Sequence, residues 1–261
     1  MPDQPDDLTS THPSGHLRPA PDPTEDLQPD AGGSRSPLSA VFPATVSLPD
    51  DVVSYGPDIA TEAVFRLLGH LEGKRVLELG CGAGQAAVAL AYQGAHVIAV
   101  DPSHRRLEQA RNACERAEVR VELHQSDLAE LAFVRADTID VALSVYALAS
   151  VTDLDRVFRQ VHRVLRTGCP LVFSLPHPAL RVAEGNSYFD RSPLAWDTGD
   201  ATGQEQPRTI SEVFTSLTRA NFRVDALLEP EPLDGPRSAL WKPAMERAPA
   251  TLLVRGRKEG I

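Results

Sequence analysis

Between residues 75 and 175, short unbroken apolar runs alternate with stretches in which apolar positions recur every three or four residues. This is the pattern of buried strands separated by amphipathic helices. R-V-L-E-L-G (75–80) reads as a strand, and Q-A-A-V-A-L-A-Y-Q (85–93) as a helix closed by Gly94. The unit repeats with H-V-I-A-V-D (96–101) and a helix over 103–117, then V-R-V-E-L-H (119–124) and a short turn-rich segment. I-D-V-A-L-S-V (139–145) with a helix over 153–166, and P-L-V-F-S-L (170–175), complete the series. Such alternation predicts an α/β fold, a parallel doubly wound sheet. Ahead of it, Ile59, Ala63, Leu67 and Leu71 at helical spacing predict one amphipathic helix, with Asp58 at its start and Gly73 past its end. Behind it, a helix over 209–221 precedes strands at 222–228 and 250–257. With no crossover helix between them, these two can pair antiparallel. Two long loops remain, 176–208 and 229–249.

The first forty residues break the pattern. They hold eight prolines, no aromatic residue, and seven acids against two bases, too little apolar surface to offset the entropy of ordering. The expectation is a disordered, acidic, Pro-rich tail over 1–40 and a single domain over 41–261. A net charge of −10 repels a phosphate backbone and argues against nucleic acid as partner or substrate. No apolar run approaches the ~18 residues of a membrane span, and the N-terminus lacks a basic-then-apolar leader, so the expected location is cytoplasmic, without membrane insertion. Cys81, Cys114 and Cys169 are odd in number and widely spaced; they read as reduced thiols, and no spacing of histidines and carboxylates suggests a metal. No feature bears on the oligomeric state.

The chemistry concentrates at V-L-E-L-G-C-G-A-G-Q (76–85), where Gly80, Gly82 and Gly84 stand between a strand and a helix start and let the backbone lie against a ligand. Twenty-one residues after Gly80, Asp101 closes the second strand, where a carboxylate can accept both hydroxyls of an adenosine ribose. A dinucleotide fingerprint, G-x-G-x-x-G, would need its third glycine at Gln85. Glu78 also adds negative charge where a pyrophosphate would be repelled and an ammonium attracted. An NAD(P)-dependent oxidoreductase is therefore the rival reading rather than the first. A protein that keeps the fold and cofactor without catalysis is a second rival.

These residues carry a family resemblance. V-L-E-L-G-C-G-A-G-Q resembles motif I of class I S-adenosylmethionine-dependent methyltransferases, V-I-A-V-D-P-S (97–103) motif II and Q-S-D-L (125–128) motif III. I-D-V-A-L-S-V-Y-A-L (139–148) and R-V-L-R-T-G-C-P-L-V-F-S (163–174) resemble motifs IV and V. The likeness covers 55–175 and is strongest to the small-molecule group that includes enzymes of ubiquinone and menaquinone biosynthesis. It implies a Rossmann-like seven-stranded doubly wound sheet in the order 3-2-1-4-5-7-6, strand 7 antiparallel, and S-adenosyl-L-methionine as cofactor. By resemblance, Gly80 and Gly82, with Cys81 between them, would pack on the methionine part; Asp101 would hold the ribose, and Pro102 would lie on the adenine. Asp127, beside Leu128, would face the adenine amino group, and Ser144 and Tyr146 would close the pocket. Asp127 also has a plainer reading as a helix N-cap, and both could hold together. The chain departs from the family at Ala149, Ser150 and Val151, where a histidine pair is common, and at Thr167, where proline is usual.

The acceptor is expected beside the long loops, outside the carboxyl ends of the strands. Tyr188, Phe189, Trp196 and Trp241 are candidate walls for an apolar or aromatic small molecule, with Tyr55 from the segment before the sheet; packing the loops down is the competing role. His177, in L-P-H-P, is the leading candidate for a general base and Tyr146 a weaker one, though the prolines also allow His177 a purely structural place in the turn. The absence of an N-P-P-Y or D-P-P-Y string after the fourth strand points to an oxygen or carbon acceptor rather than nitrogen.

Overall fold

A computed structural model describes residues 37–43, 46, 48–199 and 202–260. The expected tail lies outside these except at its end. There α1 (Leu38–Val41) buries Leu38 and Ala40, so the domain begins ahead of the boundary read at residue 41. Next come α2 (Glu62–Phe65), β1 (Arg75–Leu79), α3 (Gln85–Tyr92), β2 (His96–Asp101), α4 (His104–Arg116), β3 (Val121–Gln125) and β4 (Val141–Val145). They are followed by α5 (Leu154–Val164), β5 (Pro170–Pro176), α6 (Pro178–Ala183), β6 (Leu194–Asp197), β7 (Thr202–Glu205), α7 (Ile210–Arg219), β8 (Phe222–Leu228) and β9 (Thr251–Lys258).

Seven strands form one sheet in the order β3-β2-β1-β4-β5-β9-β8. β1 to β5 are parallel, and β9 runs antiparallel to both β5 and β8, as the missing crossover helix predicted. β1, β4 and β5 are buried along most of their length because helices cover both faces. On one face Leu77, Leu79 and Phe173 meet Val157, Phe158 and Val161 of α5 and Leu217 of α7. On the other, Val76, Val97 and Leu143 meet Ala87 and Leu90 of α3 and Leu107 of α4. Strand alternation turns Glu78 toward this second face. The helix starts are capped by side chains: Ser103 for α4, Asp153 for α5 and Thr209 with Glu212 in a capping box for α7.

Two expectations fail. The helix expected over 58–71 is reduced to the single turn of α2, because the Glu62 carboxylate gathers the Tyr55 hydroxyl (2.7 Å) and the amides of Leu67 (3.0 Å) and Leu68 (2.7 Å). The chain turns back around that carboxylate at Arg66, which is left-handed at φ 50°. Ile59, Leu67 and Leu71 are buried without a helix to present them, and Asp58 holds the amide (2.7 Å) and hydroxyl (2.6 Å) of Ser238 instead of starting one. The loop 176–208 is also structured: it contains α6 and a hairpin of β6 with β7.

Candidate active site

The glycine turn lies at the carboxyl end of β1. Gly80 is left-handed (φ 75°), and a Cβ on it would stand 2.1 Å from the Ala147 Cβ, so close packing after β4 requires the bare backbone there. Gly82 is also left-handed (φ 53°) but faces open space, with nothing within 4 Å of where its Cβ would be. Gly84 lets the start of α3 pack against Ala110 of α4. Asp101, buried at the end of β2, ties the two neighbouring turns together: Oδ2 accepts from the Gly82 amide and Oδ1 from the Ser103 amide, both at 2.9 Å.

A cleft of about 480 Å³ opens over this turn. Its floor is Glu78 and residues 80–83; α3 contributes Gln85, and α4 contributes Arg105, Arg106 and Gln109. The roof comes from α1 and the residues after it, Ser39 to Pro43, with Ser54, and the hairpin reaches the rim at Thr198. Glu78 is 3% exposed and its Oε2 has no hydrogen-bond partner among the described residues. Burial, and secondarily the nearby Asp101 carboxylate, push its pKa up to about 8. A buried carboxylate oxygen without a partner is costly, and a cationic ligand in the cleft removes that cost. Cys81 also lines the cleft, but burial and the adjacent Glu78 raise its thiol far above the ordinary range and leave it no nucleophile.

The other expected cofactor contacts are not among the residues that line the cleft. Pro102 is exposed next to Asp101, and its carbonyl accepts from the Gln125 side chain at 3.3 Å. Asp127 is exposed; no helix follows it, so the N-cap reading gives way to a tight turn in which Oδ1 accepts from the Ala129 amide at 2.7 Å. Leu128 is core, packed toward Gly80. Ser144 does not close the pocket: it is fully buried, and its hydroxyl donates across the sheet to the Leu79 carbonyl at 2.8 Å.

The acceptor-side candidates fare differently. Tyr146 is 1% exposed, packed edge-on against Phe42 and hydrogen-bonded to Thr251 Oγ1 at 2.6 Å. Burial raises its phenol well above the ordinary range, so it is neither a pocket wall nor a base. His177 is 3% exposed and caps α6: Nδ1 accepts from the Ala179 amide (3.0 Å), which leaves the hydrogen on Nε2 to donate to Glu229 (2.8 Å). With both nitrogens engaged and burial lowering its pKa, it has no free lone pair for an incoming proton, and the structural reading of L-P-H-P prevails. Tyr55 is fully buried with its hydroxyl on Glu62, so it is core and not an acceptor contact.

Trp196 lies against Gly203 of the hairpin and carries the Arg106 guanidinium 5.8 Å from its ring centroid, which couples it to the cleft without lining it. Trp241 stacks under Arg237 at 3.9 Å and packs on the core cluster that includes the roof residues Ala40 to Phe42, without itself lining the cleft. Tyr188 packs edge-on to the exposed Phe189 and faces a second, smaller cavity shared with His177, Arg181 and Glu205. The sequence reading missed the roof, Ser39 to Pro43, hidden at the end of a tail of unfavourable composition. It also missed Arg105 and Arg106, whose signal was their place in the first turn of the helix after Asp101. Among the described residues no group of histidines, cysteines and carboxylates could hold a metal, and no helix is long and apolar enough to cross a membrane.

A doubly wound sheet with one reversed strand, opening at its carboxyl edge onto a glycine turn and an unpartnered acid, defines a Rossmann-like protein with a site for a cationic nucleoside cofactor. Residues 76–168 match the family model of a methyltransferase domain. An uncharacterized protein of Haemophilus influenzae is 25% identical over 227 residues, covering 79% of this chain and 89% of its own. The ubiquinone biosynthesis O-methyltransferase of Hahella chejuensis is 36% identical over 104 residues, 40% of this chain and 44% of that enzyme; the chain spans about half the length of the enzymes of this name that it matches. The crystal structure of an S-adenosylmethionine-dependent methyltransferase from Mesorhizobium loti superposes with a TM-score of 0.59 at 26% identity, over 75% of this chain and 96% of that one. Residues 76–168 thus form a methyltransferase domain, and the chain is similar to S-adenosylmethionine-dependent methyltransferases.

Proposed function

We propose that the chain methylates a small-molecule acceptor at oxygen or, failing that, carbon, with S-adenosyl-L-methionine as donor. The observation that carries this reading is the unpartnered Oε2 of Glu78 at the floor of the cleft, beside open space over Gly82. Glu78 would receive the methionine ammonium, and Gly80 and Gly82 would let its backbone approach. Asp101 would take the ribose hydroxyls on the lone pairs that its two amide contacts leave free, with Pro102 and Asp127 flanking the adenine. The cofactor supplies a methyl group already activated by the sulfonium, with a neutral leaving group. The protein's share is placement, which can be worth ~7–11 kcal/mol when reactants are held in line. The oxygen preference is supported by the O-methyltransferase names of the relatives and by S-V-Y-A after β4 in place of the amide-methylating string. The third position of the dinucleotide fingerprint is Gln85, the first residue of α3, so nothing favours the oxidoreductase alternative.

Titration calorimetry with S-adenosylhomocysteine and, separately, NAD and NADP tests the reading. Binding of the nucleoside thioether alone is expected. A protein that ignores it at millimolar concentration does not have this function. Methyl-labelled donor with a panel of hydroxylated aromatics then reports the acceptor class.

A further inference from the structure

A hydroxyl acceptor must lose a proton as it is methylated, and among the described residues the cleft floor offers nothing to take it. Its ionisable lining residues are Glu78, Cys81, Arg105 and Arg106. Glu78 is committed to the cofactor in the reading above, the Cys81 thiol is held protonated, and arginines keep their protons. His177 and Tyr146, the bases suggested by sequence, are both fully engaged. One more carboxylate reaches the cleft through an intermediary. Ser39 of α1 lines the cleft, and its hydroxyl donates to Oε2 of Glu205 at the end of β7.

Resting on the methyl-transfer reading, we infer that Ser39 and Glu205 form the proton relay for a hydroxyl acceptor. As the acceptor oxygen bonds the methyl carbon, the carbon–sulfur bond breaks and sulfur keeps its electron pair. The acceptor's hydroxyl proton passes to Ser39 Oγ, and the Ser39 proton passes to Glu205. Charge balances, because the sulfonium's positive charge and the carboxylate's negative charge disappear together.

Three observations support this. Glu205 is 4% exposed, and burial raises its pKa, so it is a stronger proton acceptor than a surface carboxylate. The cations facing it from neighbouring elements are held elsewhere: Arg181 of α6 by Asp190 (3.1 Å), Lys242 by Glu184 just past α6 (2.8 Å), and Arg208 by the carbonyls of Val151 and Gln206. Tyr146 and His177, the other titratable groups nearby, keep their own partners. Finally, Glu205 also lines the second cavity, of about 30 Å³, so its carboxylate borders a space distinct from the cleft.

The relay can be tested without knowing the natural acceptor, using 4-nitrocatechol, whose phenolate absorbs at longer wavelength than its phenol. With S-adenosylhomocysteine bound, and at a pH below the probe's own ionisation, the wild-type protein is expected to bind it as phenolate. Glu205→Gln keeps the hydrogen bond but should abolish that band; Ser39→Ala should abolish it too, and Ser39→Thr should restore it. Transfer of labelled methyl to the same probe should fall about a hundredfold or more in Glu205→Gln. Transfer to 4-nitrothiophenol, already ionised, should not change. A wild-type complex that shows no phenolate band, or a Glu205→Gln protein with an undiminished one, overturns the relay. Calorimetry on each protein separates the two readings: failure of wild type to bind S-adenosylhomocysteine strikes the methyl-transfer assignment itself.

Discussion

The ionisable groups on the two sides of the cleft are used in opposite ways, although the Ser54 hydroxyl of the roof and the Trp196 indole N–H of the hairpin are also buried without a partner among the described residues. On the sheet side, Glu78 is buried with an oxygen facing no partner, and Gly82 leaves open space above the turn. On the roof and loop side, Tyr55, Tyr146 and His177 are equally buried, yet each polar atom is answered from within the chain, by Glu62, Thr251, Ala179 and Glu229. A buried group answered by its own protein stabilises the fold; one left unanswered waits for a ligand. The sequence pointed to Glu78 as a ligand contact, but it also offered His177 and Tyr146 as bases, and their partners leave them no such part.

The sharpest way to break this comparison is within the glycine turn. Gly80→Ala forces a Cβ to 2.1 Å from Ala147 in a left-handed backbone, and overpacking plus conformational strain should cost about 2–4 kcal/mol of stability. Gly82→Ala meets no atom of the protein within 4 Å, so its stability cost should be only about 1 kcal/mol from the backbone, while the new methyl would intrude on the proposed cofactor position. Chemical denaturation should therefore rank Gly80→Ala as the damaged fold. Calorimetry should show Gly82→Ala as a folded protein with weakened S-adenosylhomocysteine binding. Equal effects on both measurements would mean that the turn is packing throughout.

Glu78→Gln separates ligand from fold more finely. Losing a charge-assisted contact should weaken S-adenosylhomocysteine by roughly 1.5–3 kcal/mol. The free protein should become more stable, with a pH dependence of definite sign. From its ordinary value of 4.5 the pKa rises to about 8 on folding. Below pH 4.5 both states carry the proton; between 4.5 and 8 the unfolded chain releases it and the folded chain does not, so the residue's contribution to stability falls across that window and is lost above it. The Gln variant should therefore melt higher than wild type at pH 9 and show no gain at pH 4. The same linkage predicts that ligand binding at pH 7 expels a proton as Glu78 ionises against the ammonium. Calorimetry in buffers of differing ionisation enthalpy should detect it, with affinity rising toward pH 8.

The elements of the proposed cofactor side could be read from sequence because they are local. Strand, glycine turn and Glu78 fall within ten residues, and Asp101 is one βα unit away, so periodicity and spacing place them together. The acceptor side is built from long-range contacts. Ser39 meets Glu205 across 166 residues, and the hairpin that carries Glu205 has four-residue strands inside what reads as a loop. The segment over 58–71 shows the same limit from another direction: its apolar spacing is helical, but a single carboxylate, Glu62, captures the amides that would have continued the helix. Local pattern cannot foresee a side chain competing for the backbone.

His177 provides the smallest and most discriminating effect. If its place is structural, His177→Ala removes the cap of α6 and the Glu229 contact and should cost about 1–2 kcal/mol, the range for a lost N-cap. Because burial depresses its pKa in the folded protein, the unfolded chain takes up a proton that the folded one refuses as pH falls below the ordinary histidine value of 6.5. Wild-type stability should therefore decline through that acid range, and the variant should decline less. Cofactor affinity and methyl transfer at pH 7.5, measured well below the melting temperature, should be unchanged. A large fall in transfer with the fold intact would return His177 to the chemistry and displace the line drawn between answered and unanswered groups.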